Sequence, residues 1–393
     1  MRKSWSPLVS GLLLCLICLQ GMVPAYGLAN NDVPVAENPA VSESSQDEEE
    51  QLEMPIANMK WNVYYAIQSY GQYQDLFQPH IPDNVDYVSF GWARVVADKE
   101  GKAQVETQLD GTSSFYYPQG GADRVKEVQS AGKKAMLNVY GDRDWDLLLD
   151  QGKEIGNLLL AHGEFDGVVL DFETVTAKDR IPYLVAVYHI TKILQDQGKE
   201  VWVAAQPRAA YDLSVLTTYV DGVVLMLHDY EPKSMKGGGS PLMAMTPQTP
   251  IGALEEDLKE MTQGLSQDQL DKVRLQFSMA TTQWKLVDGA MEKTPEETIR
   301  PYRPLYSRLI ERLKGEKKPI VSYHEPSQNP YMVFHDPTDD TWNVLWYENE
   351  RSIEAKIKLA NRYGINQFSL WRLGNVPRAS HDELNLPQVF QWD

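Results

Sequence analysis

The chain has 393 residues and a formal net charge of −18 at pH 7, and its two cysteines are Cys15 and Cys18. Such an acidic surface excludes nucleic acid as a partner, because nucleic-acid binding depends on Lys and Arg side chains that neutralise phosphates. Two cysteines close together near the N-terminus exclude a disulfide scaffold and a thiolate metal site in the rest of the chain.

Residues 1–27 have the pattern of a secretory signal peptide. Arg2 and Lys3 give a positive start, Leu8 to Val23 is mostly apolar, and Ala25-Tyr26-Gly27 has the small residues that signal peptidase needs. The apolar run is short and broken for a membrane span. Cleavage after Gly27 is therefore predicted, with a retained N-terminal anchor as the alternative. The mature protein is expected to have no membrane span and to be secreted, either extracellular or associated with the cell wall.

Residues 28–55 are polar and acidic, most clearly between Glu43 and Glu50. A segment with few large apolar groups and much like charge cannot bury enough surface to offset its ordering entropy. These residues are predicted to be a disordered spacer that precedes a globular domain at residues 56–393.

Within this domain, apolar β-branched segments alternate with longer, more polar ones. Eight strands are predicted, at Trp61–Ile67, Val85–Ala97, Lys134–Tyr140, Phe165–Thr174, Val201–Ala205, Gly222–Leu227, Arg274–Ala280 and Gln367–Leu373. Helices are predicted between them, at Asp123–Ala131, Trp145–Ala161, Pro182–Gln197, Pro250–Gln263 and Ser352–Tyr363. This α/β alternation is typical of a (β/α)8 TIM barrel. The alternative is a doubly wound open sheet, which usually has a Gly-rich phosphate turn that the sequence lacks.

Residues 285–350 interrupt the alternation. A basic helix-like piece, Tyr302–Lys314, precedes three strand-like pieces at Ile320–Tyr323, Tyr331–His335 and Val344–Tyr347. Turn signals such as Asp336-Pro337 separate these pieces. We therefore predict a small α+β insertion between the seventh and eighth strands, above the top of the barrel.

The fourth predicted strand ends in two acidic residues, Asp171 and Glu173. Because strand side chains alternate in direction, both share the Gly167 and Val169 side, which faces inward in a barrel. They then lie at the carboxyl end, where barrel enzymes have their active sites, and roughly 7 Å apart along the strand. Their repulsion should raise one pKa, which would let a carboxyl group protonate a glycosidic oxygen. An isolated Asp-x-Glu pair is more often an exposed loop feature, but this pair follows a buried strand.

Several separated segments resemble glycoside hydrolase family 18. Asp166 to Glu173 (Asp-Gly-Val-Val-Leu-Asp-Phe-Glu) resembles the active-site pattern of that family, Asp-Gly-x-Asp-x-Asp-x-Glu. Met226-Leu227-His228-Asp229-Tyr230 is similar to its Met-x-Tyr-Asp motif. Further similarities occur in the family's order, at Ala205-Gln206-Pro207-Arg208, Trp284, Tyr363-Gly364-Ile365 and Ser369-Leu370-Trp371-Arg372-Leu373-Gly374. The resemblance begins near Trp61 and is greatest to the spore-germination and cortex-lytic N-acetylglucosaminidases, which carry a small domain at the insertion's position.

The resemblance implies a retaining, substrate-assisted hydrolase of N-acetylglucosamine-containing polysaccharide, with peptidoglycan favoured over chitin. Glu173 would protonate the leaving oxygen, and the substrate's own 2-acetamido oxygen would attack the anomeric carbon while Asp171 orients the acetamide. The residues that the resemblance places against the sugar are Trp371, Asp229, His228, Tyr230, Met226, Gln206 and Trp284. No metal or other cofactor is expected, because the seven histidines are scattered. The protein is expected to be a monomer with the polysaccharide as its partner.

The sequence departs from the family pattern in three places. Val169 replaces the middle acid or Asn, so Asp171 loses a polar neighbour. His228 replaces a tyrosine whose hydroxyl helps to hold the acetamide. A neutral imidazole offers a similar hydrogen bond and a charged one alters the pH profile, but a histidine satisfied by Asp229 or the backbone is equally expected. Ala280-Thr281 stands where Tyr-Gly is usual. A glycan-binding barrel that does not cut is therefore the alternative function, although the retained Glu173 favours an enzyme.

Overall fold

The structure is a computed structural model that describes residues 59–66, 81, 83–107, 117, 120–141, 148–173, 175–207, 211–240, 244–287, 290–293, 298–315 and 319–375. The predicted signal peptide at residues 1–27 and the predicted spacer at residues 28–55 lie outside the described residues. None of the helices in the described ranges is long and apolar enough to span a membrane.

Eight parallel strands form a closed barrel. They are β1 (Lys60–Tyr65), β2 (Val85–Ala97), β3 (Lys134–Gly141), β4 (Gly167–Phe172), β5 (Glu200–Ala205), β6 (Gly222–Leu225), β7 (Val273–Ser278) and β8 (Gln367–Trp371). Each strand pairs in parallel with the next, and β8 also pairs with β1, which closes the sheet. The predicted TIM barrel is confirmed, and the doubly wound alternative is wrong because an open sheet has no such closing pair.

Helices cover the outside of the barrel and one belongs to the insertion. They are α1 (Gly121–Ser130), α2 (Gly152–Leu159), α3 (Arg180–Gln195), α4 (Leu213–Leu216), α5 (Ile251–Thr262), α6 (Gln267–Leu270), α7 (Tyr306–Lys314) and α8 (Glu350–Arg362). The helix predicted at Trp145–Ala161 begins only at Gly152. The four-residue helices α4 and α6 have no counterpart in the sequence prediction, because they are too short to show a helical period.

The start of β4 depends on the residue pair Asp166-Gly167. The Asp166 carboxylate accepts a hydrogen bond from the Ala135 backbone at 2.8 Å, which ties the preceding turn to β3. A Cβ atom on Gly167 would lie 2.4 Å from the carbonyl oxygen of Glu200, so only glycine allows β5 to come this close. The strand predicted at Phe165–Thr174 thus begins only at Gly167, after a bend at residues 165–166, and ends at Phe172.

The two faces of β4 are buried in different surroundings. Val168, Leu170 and Phe172 belong to the apolar core between the strands and the helices. Val169 belongs to a separate apolar cluster that also contains Tyr64 and other strand residues. This cluster fills the inside of the barrel, so the inward direction predicted for the Val169 face agrees with the packing. Asp171 continues that face towards the carboxyl end of the strand.

A cation closes the inside of the barrel below this cluster. Arg274, near the start of β7, has its guanidinium carbon 4.2 Å from the ring centroid of Trp202 and 5.1 Å from that of Tyr87. Burial lowers the pKa of Arg274 to about 10, although acidic neighbours oppose the change. The interior is thus filled below the carboxyl ends of the strands, as in other barrels, and open space is left to the upper end.

An antiparallel sheet lies between β7 and β8. Its spatial order is Ala290–Met291, Thr282–Val287, Thr341–Trp346, Asn329–Asp336 and Ile320–His324. The sheet begins at Thr282, four residues after the end of β7 at Ser278 and three residues before the predicted start of the insertion at Lys285, and Thr282 already pairs with Trp346. Together with α7, this sheet forms the predicted α+β insertion.

Candidate active site

Asp171 lies at the upper, inner end of β4 and is only 4% exposed. Asn138 on β3, which is opposite Val169 in the strand register, donates from Nδ2 to Asp171 Oδ2 at 3.2 Å. The other carboxyl oxygen, Oδ1, is buried and has no hydrogen-bond partner among the described residues. A polar neighbour for Asp171 thus comes from the next strand, and Val169 itself packs in the apolar cluster.

Burial raises the pKa of Asp171 to about 7, and the neighbouring Glu173 carboxyl adds to the rise. Asn138 and His228 act in the opposite direction. The main cause is therefore desolvation, whereas the sequence alone suggested repulsion between the two acids. A carboxyl group with a pKa near 7 changes its charge in the range where general acid–base catalysis operates.

Glu173 follows β4 by one residue and is half-buried. Its backbone N–H donates to the carbonyl oxygen of Gly141 at 3.3 Å, which continues the parallel pairing with β3 beyond the end of the strand. The side chains of Asp171 and Glu173 therefore leave the same face of an extended segment at its carboxyl end.

Two aromatic side chains lie on the β1 and β8 side of the site. Tyr64 is 1% exposed, and its hydroxyl has no hydrogen-bond partner among the described residues. Burial, with the Asp171 charge, raises the pKa of Tyr64 well above its ordinary value, so this hydroxyl keeps its proton. The Tyr64 ring meets Trp371 edge-on, with the centroids 5.5 Å apart. Trp371 is half-buried at the end of β8.

His228 and Asp229 follow β6. His228 Nε2 lies 2.8 Å from Gln276 Oε1 on β7, and Nδ1 lies 3.4 Å from an Asp229 carboxylate oxygen. Gln248 donates to Asp229 Oδ1 at 2.6 Å. Desolvation opposes charge on both groups, although the Asp229 side chain is 44% exposed, and their attraction prevails: the pKa of His228 is raised and the pKa of Asp229 is held well below its usual range.

The insertion contributes Arg303 to the same end of the barrel. Arg303 Nη1 lies 3.5 Å from Asp229, and Nη2 donates to Glu231, which is 3% exposed. Burial raises the pKa of Glu231 to about 7, although Arg303 opposes the rise. Sequence reasoning missed Arg303 and Glu231, because 72 residues separate them and no spacing signals their contact.

A cavity of about 240 Å³ opens between the ends of β6, β7 and β8 and the insertion. It is lined by Asp229, Ser278, Met279, Ala280, Thr281, Arg303, Pro304, Leu305, Trp371, Arg372 and Asn375. The lining, as far as the structure describes the chain, does not include Asp171 or Glu173. Residues 67–80, 142–147 and 208–210, which follow β1, β3 and β5 in the sequence, lie outside the described ranges.

The four remaining predicted site residues lie in separate parts of the fold. Met226 is 9% exposed and belongs to the inner cluster, and Gln206 is half-buried just after β5. Tyr230 donates from its hydroxyl to Asp257 on α5 at 2.6 Å and packs on the outer core. Trp284 is 1% exposed and donates from Nε1 to Thr246 at 2.8 Å, inside the apolar core of the insertion.

The structure thus brings Asp171, Glu173, His228, Asp229 and Trp371 to the upper end of the barrel, but not Tyr230 or Trp284. Tyr230 was selected by its place in a motif, and the left-handed backbone of the preceding residue (φ 62°) turns the chain outward. Trp284 lies on an insertion strand whose buried face packs away from the barrel. In the described part of the chain, no three His, Cys, Asp or Glu side chains are grouped to hold a metal ion.

The fold and the site define a TIM-barrel protein whose acidic and aromatic side chains gather at the carboxyl ends of the strands, the end at which barrel enzymes bind their substrates. Residues 60–375 match the family described as Glycosyl hydrolases family 18. The chain belongs to this family, as the motif resemblance predicted.

Named relatives include cortical fragment-lytic enzymes of two Bacillus species. The cortical fragment-lytic enzyme of Bacillus subtilis (strain 168) is 23% identical over 221 residues, which are 53% of this chain and 47% of that protein. The Bacillus anthracis enzyme of the same name is 25% identical over 236 residues, which are 57% of this chain and 50% of that protein. The chain thus spans about half the length of these relatives, and the predicted likeness to the cortex-lytic branch is confirmed.

Solved structures share the barrel. The spore cortex-lytic enzyme SleL of Bacillus cereus superposes with a TM-score of 0.62 at 17% identity, covering 85% of this chain and 72% of that one. The C-terminal domain of a putative chitinase from Desulfitobacterium hafniense gives 0.66 at 20% identity, covering 85% and 99%. At these identities the likeness shows the fold.

Proposed function

We propose that the protein is a retaining glycoside hydrolase that cleaves N-acetylglucosamine-containing polysaccharide, and peptidoglycan in preference to chitin. The observation that carries this proposal is the buried Asp171, with a pKa of about 7, on the same strand face as Glu173. Family membership supports glycosidic bond cleavage. The names of the cortical fragment-lytic relatives support peptidoglycan as the substrate.

The proposed reaction uses the substrate's own acetamide as nucleophile. Glu173 gives its proton to the glycosidic oxygen as that bond breaks, and the 2-acetamido oxygen forms a bond to the anomeric carbon from the opposite side. Asp171, with Asn138 beside it, orients the acetamide and stabilises the positive charge that forms. Water then opens the cyclic intermediate with retention, and Glu173 takes a proton from that water. Trp371 provides a flat apolar surface against the sugar ring.

The proposed setting is outside the cell membrane. The signal-peptide pattern of residues 1–27 and the acidic stretch before the barrel support export to the wall or the medium. In that setting a monomer meets its polymeric substrate directly.

Glu173→Gln tests the proposal. The variant should lower the release of reducing sugar from peptidoglycan fragments and from N-acetylglucosamine oligomers by about 10²-fold or more, because general acid–base catalysis contributes that much. Glu154→Gln, an exposed position on α2, is the matched control and should keep full activity. Equal release by the Glu173→Gln variant and the native protein, or no release by the native protein from any of these substrates, would contradict the proposal.

A glycan-binding protein without turnover is the second candidate function. It is favoured by the described cavity, whose lining includes Trp371 but not Glu173. Calorimetry with N-acetylglucosamine oligomers separates the two functions. A binder would hold the oligomers equally well with and without Glu173→Gln, and neither form would release reducing sugar. A hydrolase would turn the oligomers over only in the native form.

A further inference from the structure

A chain of buried polar side chains crosses the inside of the barrel and ends at His228. Ser89 on β2 donates from its hydroxyl to Asn62 Oδ1 at 2.8 Å. Asn62 on β1 and Gln276 on β7 both donate from their side-chain amides to the hydroxyl oxygen of Ser369 on β8, at 3.2 Å and 3.5 Å. These four residues are at most 2% exposed. Buried polar groups in such a chain restrict one another's orientation, and here the Gln276 amide nitrogen is turned towards Ser369.

The orientation of the Gln276 amide determines which of its atoms faces the His228 ring. Because the Gln276 amide nitrogen points to Ser369, the amide oxygen points to His228 Nε2, at 2.8 Å. An amide oxygen only accepts, so Nε2 carries a proton. On the other side of the ring, Nδ1 lies 3.4 Å from a carboxylate oxygen of Asp229. Nδ1 makes no hydrogen bond to a described residue, but the carboxylate beside it and the acceptor at Nε2 both favour the imidazolium form.

The charges around His228 also favour the protonated form of its ring. The His228 side chain is 9% exposed and that of Asp229 is 44% exposed, so solvent screens their attraction only in part. Asp229 and Glu231 on the His228 segment and Asp171 on β4 are the carboxyl groups that interact with the ring. Arg303 from the insertion is the opposing cation, and it is itself bound to Asp229 and Glu231. Burial opposes protonation of the ring, but the pKa of His228 is nevertheless raised, with Asp229 as the largest favourable cause and Gln276 as a further one.

We propose that Gln276 is a positioning residue that, with Ser369, Asn62 and Ser89 behind it, holds His228 as a fixed buried imidazolium beside the carboxylate of Asp229. The role in the reaction rests on the proposed hydrolase function. There the cation favours the ionised form of Asp171, while Glu173 keeps the proton that it must donate. A positive charge thus stands where the family pattern has a neutral tyrosine hydroxyl.

Nitrogen NMR on protein labelled with ¹⁵N-histidine tests the charge state without any substrate. The His228 signals are assigned by their loss in His228→Gln. In the native protein both ring nitrogens should be protonated at pH 6.5, and the neutral ring formed at higher pH should keep its proton on Nε2. Gln276→Leu should lower the pKa of His228 by about one unit or more, because an acceptor for a charged donor is lost. Gln276→Glu should raise it, since the acceptor becomes an anion.

Thr191→Val, which removes a buried hydroxyl on α3 outside the barrel, is the control and should leave the His228 signals unchanged. A ring that is neutral at pH 6.5 in the native protein, or a neutral form protonated on Nδ1, would overturn the proposal. So would an unchanged pKa of His228 in Gln276→Glu, a variant that keeps the size and polarity of the native side chain. These outcomes do not depend on turnover, so they separate a failure of this proposal from a failure of the hydrolase function.

The pH profile then tests the role in the reaction. If the imidazolium supports catalysis, kcat/KM falls as the pH rises through the pKa of His228. Its alkaline limb should therefore move to lower pH in Gln276→Leu and to higher pH in Gln276→Glu. A merely structural role would reduce kcat/KM at every pH without moving the limb, and that result would overturn the positioning role.

Discussion

At the scale of single residues, Asp171 is the group whose burial has the clearest energetic consequence. One of its carboxyl oxygens has no hydrogen-bond partner among the described residues, so the charged form is poorly solvated in the folded state. Its folded-state pKa of about 7 lies above the value of about 3.9 in an unfolded chain. The folded state therefore binds the proton more tightly, and the associated stability is present below the unfolded pKa and is lost as the pH rises through the folded pKa.

Asp171→Asn should therefore stabilise the protein in a pH-dependent way. Near pH 4 the two proteins should have similar free energies of unfolding, because Asp171 is already neutral. Near pH 8 the variant should be more stable by up to about 4 kcal/mol, since each unit of pKa difference corresponds to about 1.4 kcal/mol. Urea unfolding at pH 4, 6 and 8 measures the difference. A gain of the same size at every pH would show that desolvation of the charge is not the cause.

Asp229→Asn provides a control with the opposite sign. The pKa of Asp229 is depressed, so its stabilising effect is present above the unfolded pKa and is lost as the pH falls through the folded one. The variant should lose stability at pH 8 and lose less of it towards pH 3. Asparagine suits the left-handed backbone at this position, so strain does not obscure the comparison.

The residues that sequence reasoning found and those that it missed differ in how they reach the site. Asp171 and Glu173 could be placed because strand alternation is local and their motif is contiguous. Asn138 and Gln276 act across strands, so only the barrel register shows what they contact. Asn138 signals itself as a polar residue in a mostly apolar strand, whereas Gln276 alternates with Arg274 and Ser278 and does not stand out. Arg303 has no such signal, because it reaches the site from a distant insertion.

At the scale of secondary-structure elements, a buried ion pair joins the insertion to the barrel. Glu348 follows the strand Thr341–Trp346, and Lys356 on α8 donates to both of its carboxylate oxygens at 2.6 Å. Ser352 on α8 and Asn329 on the neighbouring insertion strand also donate to this carboxylate, at 2.5 Å and 3.1 Å. The Lys356 and Glu348 side chains are only 1% and 3% exposed. A carboxylate bound from three sides fixes how the sheet meets the helix.

Removing one partner of this pair should be costly. Lys356→Met should lower the free energy of unfolding by about 3–5 kcal/mol, because it leaves Glu348 buried without a compensating charge. The double variant Lys356→Met with Glu348→Leu should cost less than Lys356→Met alone, since no buried charge remains. Urea unfolding of the native protein, both single variants and the double variant completes the cycle. Costs that simply add would mean that the two charges do not depend on each other.

The elements themselves were largely predictable, and the misses have physical causes. All eight barrel strands were found because each has apolar residues at its centre, and Val85–Ala97 has the same bounds in sequence and structure. The strand Ala103–Glu106 was missed. It pairs antiparallel with the last residues of β2, and only Ala103 and Val105 of its four residues are apolar. Nothing in such a segment separates a short hairpin strand from a loop.

At the scale of the whole molecule, the insertion and the barrel share one apolar core. Tyr306 and Leu309 of α7, with Met332 and Leu345 of the sheet, belong to the same cluster as the barrel's outer core. The opposite face of the sheet, which includes Val344, belongs to a second cluster. The sheet is therefore covered on both faces, and one of them continues the packing of the barrel. Elements that share a continuous core usually unfold together.

The barrel and the insertion should consequently lose their structure in one transition. Hydrogen exchange followed by mass spectrometry across a urea series reports separately on peptides from β4–β5 and from Asn329–Trp346, and both should lose protection at the same urea concentration. Leu345→Ala, at a fully buried position in the shared core, should lower both midpoints together, with a cost of about 2–5 kcal/mol. Val344→Ala, fully buried on the other face, is the matched comparison. If either variant lowered the midpoint of the insertion and left that of the barrel unchanged, the insertion would be an independent folding unit.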